Sequence, residues 1–190
     1  MAKILLGIPC NGSIKAKTVH SVLAAMRSPD VTTVMLEGAL GPENRNMLAQ
    51  EAVEGDYTHL WLVDADMRFP TDALDRLLAH QVDLIGLAYH RRGLPLQTTV
   101  RVQDTTGAVG IPLDPLPSTL FIPYATGSGC QLVTTAALRQ IPQPWFSVGF
   151  TPDGKFMDDA VWFATQARSV GIVPWCDPTI PATHIGDYEY

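Results

Sequence analysis

Asp64-Ala65-Asp66 stands directly after the apolar run Leu60-Trp61-Leu62-Val63. Side chains two residues apart on an extended segment point to the same side. Both carboxylates can therefore face one hard divalent cation and a phosphate that shares it. If the apolar run is a strand of a parallel α/β sheet, the pair emerges at its carboxyl end, where such sheets bind ligands. The competing explanation is an Asp-rich turn or helix cap, which has the same composition.

The elements that would position this pair can be read from hydrophobic periodicity. Ile4 to Ile8 is a strand-length apolar run closed by Pro9 and Asn11-Gly12, and Lys15 to Arg27 places Val19, Val22, Leu23 and Met26 at helical spacing. Val31 to Leu36 predicts a second strand, Asn44 to Val53 a second helix and Leu60 to Val63 a third strand. A helix over Asp72 to His80 and a strand over Leu84 to Ala88 follow. Strands and helices alternating at this spacing predict a mostly parallel sheet with helices on its faces. From residue 93 to 123, five prolines among β-prone segments favour edge strands and loops. Beyond them the sequence predicts a strand at Gly129 to Val133, a short helix near Thr135 to Gln140 and a Pro/Gly-rich loop from Pro142 to Gly154. A helix at Asp158 to Val170 and a strand at Ile172 to Cys176 complete the pattern.

At 190 residues, with no internal repeat or linker, the chain is expected to form one domain over 1–190. Hydrophobic residues at 46% against 17% charged exclude an intrinsically disordered chain. A net charge of −6 excludes a module built on neutralising nucleic-acid phosphates. Cys10, Cys130 and Cys176 have neither disulfide-framework nor CxxC spacing, which fits a reducing compartment. With no signal-like start and no membrane-length apolar run, the expected location is the cytoplasm, with no membrane span.

Arg45-Asn46, the strand into Asp64-Ala65-Asp66, then Phe69-Pro70 and the helix after it together resemble the GT-A nucleotide-diphospho-sugar glycosyltransferases, in particular small family-2-like phage and bacterial members. Ile8-Pro9-Cys10-Asn11-Gly12 is similar to that family's first nucleotide-contacting loop, so Pro9 and Asn11 are expected at the nucleotide. Asp158-Asp159, followed by Ala167-Arg168 and Gly171, resembles the Glu-Asp helix of inverting members, with Asp in place of Glu. The resemblance implies a GT-A (Rossmann-like) α/β fold with a small acceptor-side β segment. It also implies transfer of a hexose from a nucleotide-diphospho-sugar to the hydroxyl of a glycan, protein or modified nucleic acid, with inversion.

On that resemblance Asp159 is the expected general base and Asp158 the second choice, since a base must lie within hydrogen-bond reach of the hydroxyl; helix capping is the alternative for either. Asp64 and Asp66 would hold Mn²⁺ or Mg²⁺. The Thr183-His184-Ile185-Gly186 ending resembles members that add a histidine ligand, and imidazole at His184 favours manganese. Arg45 is placed to bind pyrophosphate through its fork of donors, or else to pair with Glu51 or Glu54 on its helix. Tyr89-His90-Arg91-Arg92 would line the same crevice, with Arg91 at the donor. Thr126-Gly127-Ser128-Gly129 resembles the family's acceptor loop, and Trp145-Phe146 is available to stack on an acceptor. Two other readings are a nucleotidyltransferase, disfavoured by the single glycine in residues 8–17, and a non-catalytic nucleotide- or carbohydrate-binding domain of the same fold.

Overall fold

The computed structural model describes residues 2–38, 40–105, 107, 109–151 and 154–186. In chain order the first half runs β1 (Ile4–Cys10), α1 (Ala16–Met26), β2 (Val31–Glu37), α2 (Gly41–Glu54), β3 (His59–Val63), β4 (Met67–Arg68), α3 (Ala73–Ala79) and β5 (Leu84–Leu87). The second half runs β6 (Arg101–Val102), β7 (Ile111–Pro112), β8 (Cys130–Thr134), α4 (Thr135–Leu138), β9 (Gly149–Phe150), β10 (Phe156–Met157), α5 (Asp159–Ser169), β11 (Trp175–Asp177) and β12 (Thr183–His184).

Six strands form the central sheet in the order β11-β5-β8-β3-β1-β2. All run parallel except β8, which enters antiparallel between β3 and β5 and pairs Cys130 with Val63 and Gln131 with Gly86. The expected mostly parallel α/β sheet is thus observed, with one reversed strand at its centre.

Each central strand is buried on both sides and divides its side chains by alternation. Ile4, Leu6 and Ile8 of β1 join Trp61, Val63, Ile85 and Leu132 under α1 and α3. Leu5 joins Leu60, Leu62, Leu84 and Val133 under α2, α4 and α5. These are the near-continuous hydrophobic runs expected of strands covered on two faces. Gly7 lies on the α2 face, where a Cβ would come 3.0 Å from Leu48, so its lack of a side chain lets α2 pack close to β1.

Helix boundaries follow local chemistry. Pro42 sits in the first turn of α2, where its missing N–H costs nothing, and moves the start to Gly41, ahead of the Asn44 expected from periodicity. Thr134 caps α4 by accepting from the Ala137 N–H at 3.1 Å. Asp158 caps α5, its Oδ1 accepting from the Val161 N–H at 2.9 Å. The final sheet strand is shorter than expected, with Trp175–Asp177 in place of 172–176. Three small antiparallel pairs complete the architecture: β6 with β7, β9 with β10, and β4 with β12. Among the described residues no helix is long and apolar enough to cross a membrane.

Candidate active site

At the carboxyl ends of β1 and β3 a crevice of about 390 Å³ opens. Its wall combines the end of β1 at Pro9 and the loop after it, carrying Asn11 and Lys15, with Arg45 of α2, the Asp64-Ala65-Asp66 turn and Arg92. The turn is fixed through its backbone. Asp64 N–H donates to Gly129 O at 2.9 Å, Ala65 O accepts from Lys15 N–H at 2.8 Å, and Asp66 O accepts from Ile185 N–H at 2.7 Å. Three distant segments therefore set the direction of two carboxylates.

Arg45, buried beneath the crevice, holds two carboxylates at once. Nη2 donates to Asp64 Oδ1 at 2.5 Å and Nη1 donates to Asp159 Oδ2 at 2.8 Å, over 19 and 114 residues of sequence. Burial works against its charge, but Asp64 and Asp159 outweigh that cost and hold the guanidinium well above its ordinary pKa. Neither Glu51 nor Glu54, the same-helix partners open to it on spacing, is engaged. Asn46, next in sequence, clamps the loop before α5. Its amide donates to Phe146 O at 2.6 Å and its Oδ1 accepts from Phe146 N–H at 3.0 Å.

Asp159 follows the cap residue Asp158 at the start of α5. Burial pushes its carboxyl above the usual range, against the pull of Arg45 and with help from Asp64 and Asp158. Asp158 spends one oxygen on capping, which separates the roles of the two acids. Asp159 stands behind Arg45 and does not line the crevice.

Asp66 faces the opposite way. Its Oδ1 lies 3.1 Å from His184 Nε2 and its Oδ2 lies 3.3 Å from Arg92 Nη1. Burial would raise the Asp66 pKa, but His184 and Arg92 together bring it below the usual value. His184 arrives through the pairing of β12 with β4, which sets it opposite Met67. Its ring meets that of Tyr89 edge-on at 5.7 Å, and its buried Nδ1 has no partner among the described residues. A carboxylate and an imidazole side by side are donors that a divalent cation accepts. Asp64 is turned onto Arg45, and among the described residues no group of three His, Cys, Asp or Glu side chains is gathered for a metal. The donor set thus suits a cation that keeps most of its coordination for phosphate and water.

Several residues stand elsewhere than expected. Trp145 and Phe146 are core residues, 3% and 1% exposed: the indole N–H donates to Leu138 O at 2.9 Å, and Phe146 stacks on Phe163 at 4.5 Å. They have no free face for an acceptor. Gly127 and Gly129 pack against Tyr89, whose hydroxyl accepts from the Gly129 N–H at 2.7 Å, and a Cβ on Gly129 would come 3.0 Å from Asp64 Oδ2. These glycines make room for Tyr89 and Asp64. Arg92 lines the crevice, whereas Arg91 lines a second cavity. Arg92 belongs to the Tyr89–Arg92 segment expected at the crevice, and Lys15, which sequence spacing did not single out, joins it from the loop after β1.

The chain superposes on the crystal structure of A197 from STIV with a TM-score of 0.66 and 17% identity, covering 98% of this chain and 87% of that one. It also superposes on the crystal structure of GalNAc-T7 with UDP, GalNAc and Mn²⁺, with a TM-score of 0.65 and 12% identity over 98% of this chain. The fold is GT-A-like. This GT-A-like chain spans 44% of the GalNAc-T7 chain. No family model matches its sequence, and no curated protein does.

Proposed function

We propose that the chain is a glycosyltransferase that moves a hexose from a nucleotide-diphospho-sugar to an acceptor hydroxyl with inversion. The observation that carries this reading is Arg45, which ties Asp64 at the mouth of the crevice to Asp159 at the start of α5. One guanidinium thereby ties together two carboxylates from distant segments of the chain.

In this reading Pro9 and Asn11 bound the nucleoside, while Lys15, Arg45 and Arg92 attract the diphosphate. Asp66 and His184 would hold Mn²⁺ or Mg²⁺, which when bound neutralises charge developing on the leaving diphosphate. Asp159 accepts the proton of the acceptor hydroxyl as its oxygen bonds to the anomeric carbon. The bond from that carbon to the diphosphate oxygen breaks, and its electron pair leaves with the nucleoside diphosphate. The raised pKa of Asp159 makes it a stronger base than an exposed carboxylate.

A thermal-shift panel tests the donor half. UDP-, GDP-, CMP- and dTDP-sugars are each added with Mn²⁺, Mg²⁺ or EDTA to wild type and Asp66→Ala. A ligand at about 100 times its dissociation constant adds ~2.7 kcal/mol to stability. One nucleotide that stabilises only with metal, and only with Asp66 present, supports the reading; no shift with any of them overturns it.

A further inference from the structure

We propose that the acceptor is an acidic sugar whose oxyanion is held by Arg91 and Arg101 in a second cavity beside the crevice. The proposal rests on the transferase reading above and adds to it the chemical class of the acceptor.

The second cavity, of about 180 Å³, is lined by Arg91, Arg101, Phe156, Met157 and Asp158 among others. It is less than half the volume of the crevice. Two pairs of consecutive residues straddle the wall between it and the crevice. Arg92 lines the crevice and Arg91 the second cavity; Asp159 binds Arg45 beneath the crevice while Asp158 lines the second cavity. A sugar seated here lies beside the start of α5, against the residue that precedes Asp159.

The charge in this cavity asks for an anion. Arg101 is 8% exposed, and its Nη1 donates to Thr98 O at 2.5 Å. Among the described residues neither Arg91 nor Arg101 has a carboxylate in ion-pair contact. Burial lowers the Arg101 pKa, the charge of Asp158 opposes it, and the charge of Arg91 lowers it by a smaller amount; one oxygen of Asp158 is committed to the Val161 N–H. An oxyanion between two guanidiniums relieves their repulsion and accepts paired hydrogen bonds.

The rim supplies the other half of a sugar site. Phe156 and its hairpin partner Phe150 are 65% and 71% exposed, with their rings edge-on at 5.9 Å. Exposed aromatic faces beside a polar cavity suit the C–H face of a ring that carries a charged substituent.

Titration calorimetry with glucose 6-phosphate, glucuronate and glucose, on wild type, Arg91→Gln and Arg101→Gln, tests the proposal. Both acidic probes are expected to bind at least about tenfold more tightly than glucose, and each arginine variant to lose about tenfold of that binding. Arg101 is buried, so Arg91→Gln, at an exposed residue, decides the matter if Arg101→Gln fails to fold. A preference between the two acids identifies phosphate or carboxylate as the group recognised. Equal affinity for all three sugars, or unchanged binding in Arg91→Gln, overturns the proposal. Arginine-dependent oxyanion binding in a protein that no nucleotide sugar stabilises keeps the anion site and overturns the transferase reading.

Discussion

His184 Nε2 lies 3.1 Å from Asp66 Oδ1 across 118 residues of sequence. The contact depends on two two-residue strands, β4 and β12, and on the Ile185 N–H bond to Asp66 O. His184→Ala removes a donor beside Asp66 and leaves the turn's backbone bonds in place. The expected result is a fall of about 1–3 kcal/mol in stability in EDTA, from the lost bond to Asp66 and contact with Tyr89, and a separate loss of the Mn²⁺-dependent stabilisation by the nucleotide sugar, read by thermal shift with and without metal.

Arg45→Met leaves Asp64 and Asp159 facing each other without their shared cation. Removing one partner of a buried ion pair costs about 3–5 kcal/mol, so a large drop in urea midpoint is expected. Arg45→Lys keeps the charge but cannot donate from two nitrogens in a fixed plane. It should recover only part of the loss.

Asp159→Asn removes the proposed base while keeping a polar group for Arg45. Transfer should fall by about 10²–10⁴-fold with nucleotide-sugar binding retained; transfer at the wild-type rate would remove Asp159 from the mechanism. The pH profile gives a second readout. Burial holds the Asp159 carboxyl above its ordinary value, and the base acts only when ionised. The wild-type rate should therefore climb with pH through a limb above the ~3.9 of an unperturbed aspartate.

Gly129→Ala places a methyl where the Tyr89 hydroxyl and Asp64 Oδ2 now stand. A cost of about 1–3 kcal/mol is expected, together with weaker nucleotide-sugar binding as Asp64 moves. Tyr89→Phe in the same chain removes one of the two oxygens in the way. A double-mutant cycle should show part of the stability returning.

Asp177 is a buried carboxylate at the end of β11. Its Oδ1 accepts from the Thr179 N–H at 2.8 Å, and His80 Nε2 lies 2.9 Å from its Oδ2. Burial would raise its pKa, but the bonds from Thr179 and His80 bring it below the usual value. A folded pKa below the unfolded ~3.9 adds stability that is present above that pH and disappears as pH falls through the folded value. Asp177→Asn should lower stability at pH 7 and flatten the acid limb of a urea midpoint against pH plot.

The parts of this protein legible in its sequence are those governed by period and punctuation. β1, α1, β2, β3 and β5 lie within a few residues of their expected places because an apolar run closed by Pro, Asn or Gly leaves few alternatives. Asp64-Ala65-Asp66 was visible because its chemistry and its strand are contiguous. Arg45 shows the limit: spacing offered Glu51 and Glu54, yet its partners come from β3 and α5, brought near only by the sheet. Trp145 and Phe146 show another. Their loop looked exposed by composition, but Asn46 draws the backbone inward and both rings enter the core.

The reversed strand β8 has a consequence for how the chain is made. β3 and β5 are not neighbours; the strand between them comes from residues 130–134. A nascent chain that has emerged as far as Tyr89 therefore carries β1, β2, β3 and β5 but cannot close the sheet, and the facing edges of β3 and β5 wait for a partner not yet synthesised. Asp64 and Tyr89 flank that opening, and Gly129 joins both only when β8 enters. The crevice can thus take its final shape only after the middle of the chain has left the ribosome, so a fragment ending before residue 130 should neither fold cooperatively nor bind nucleotide.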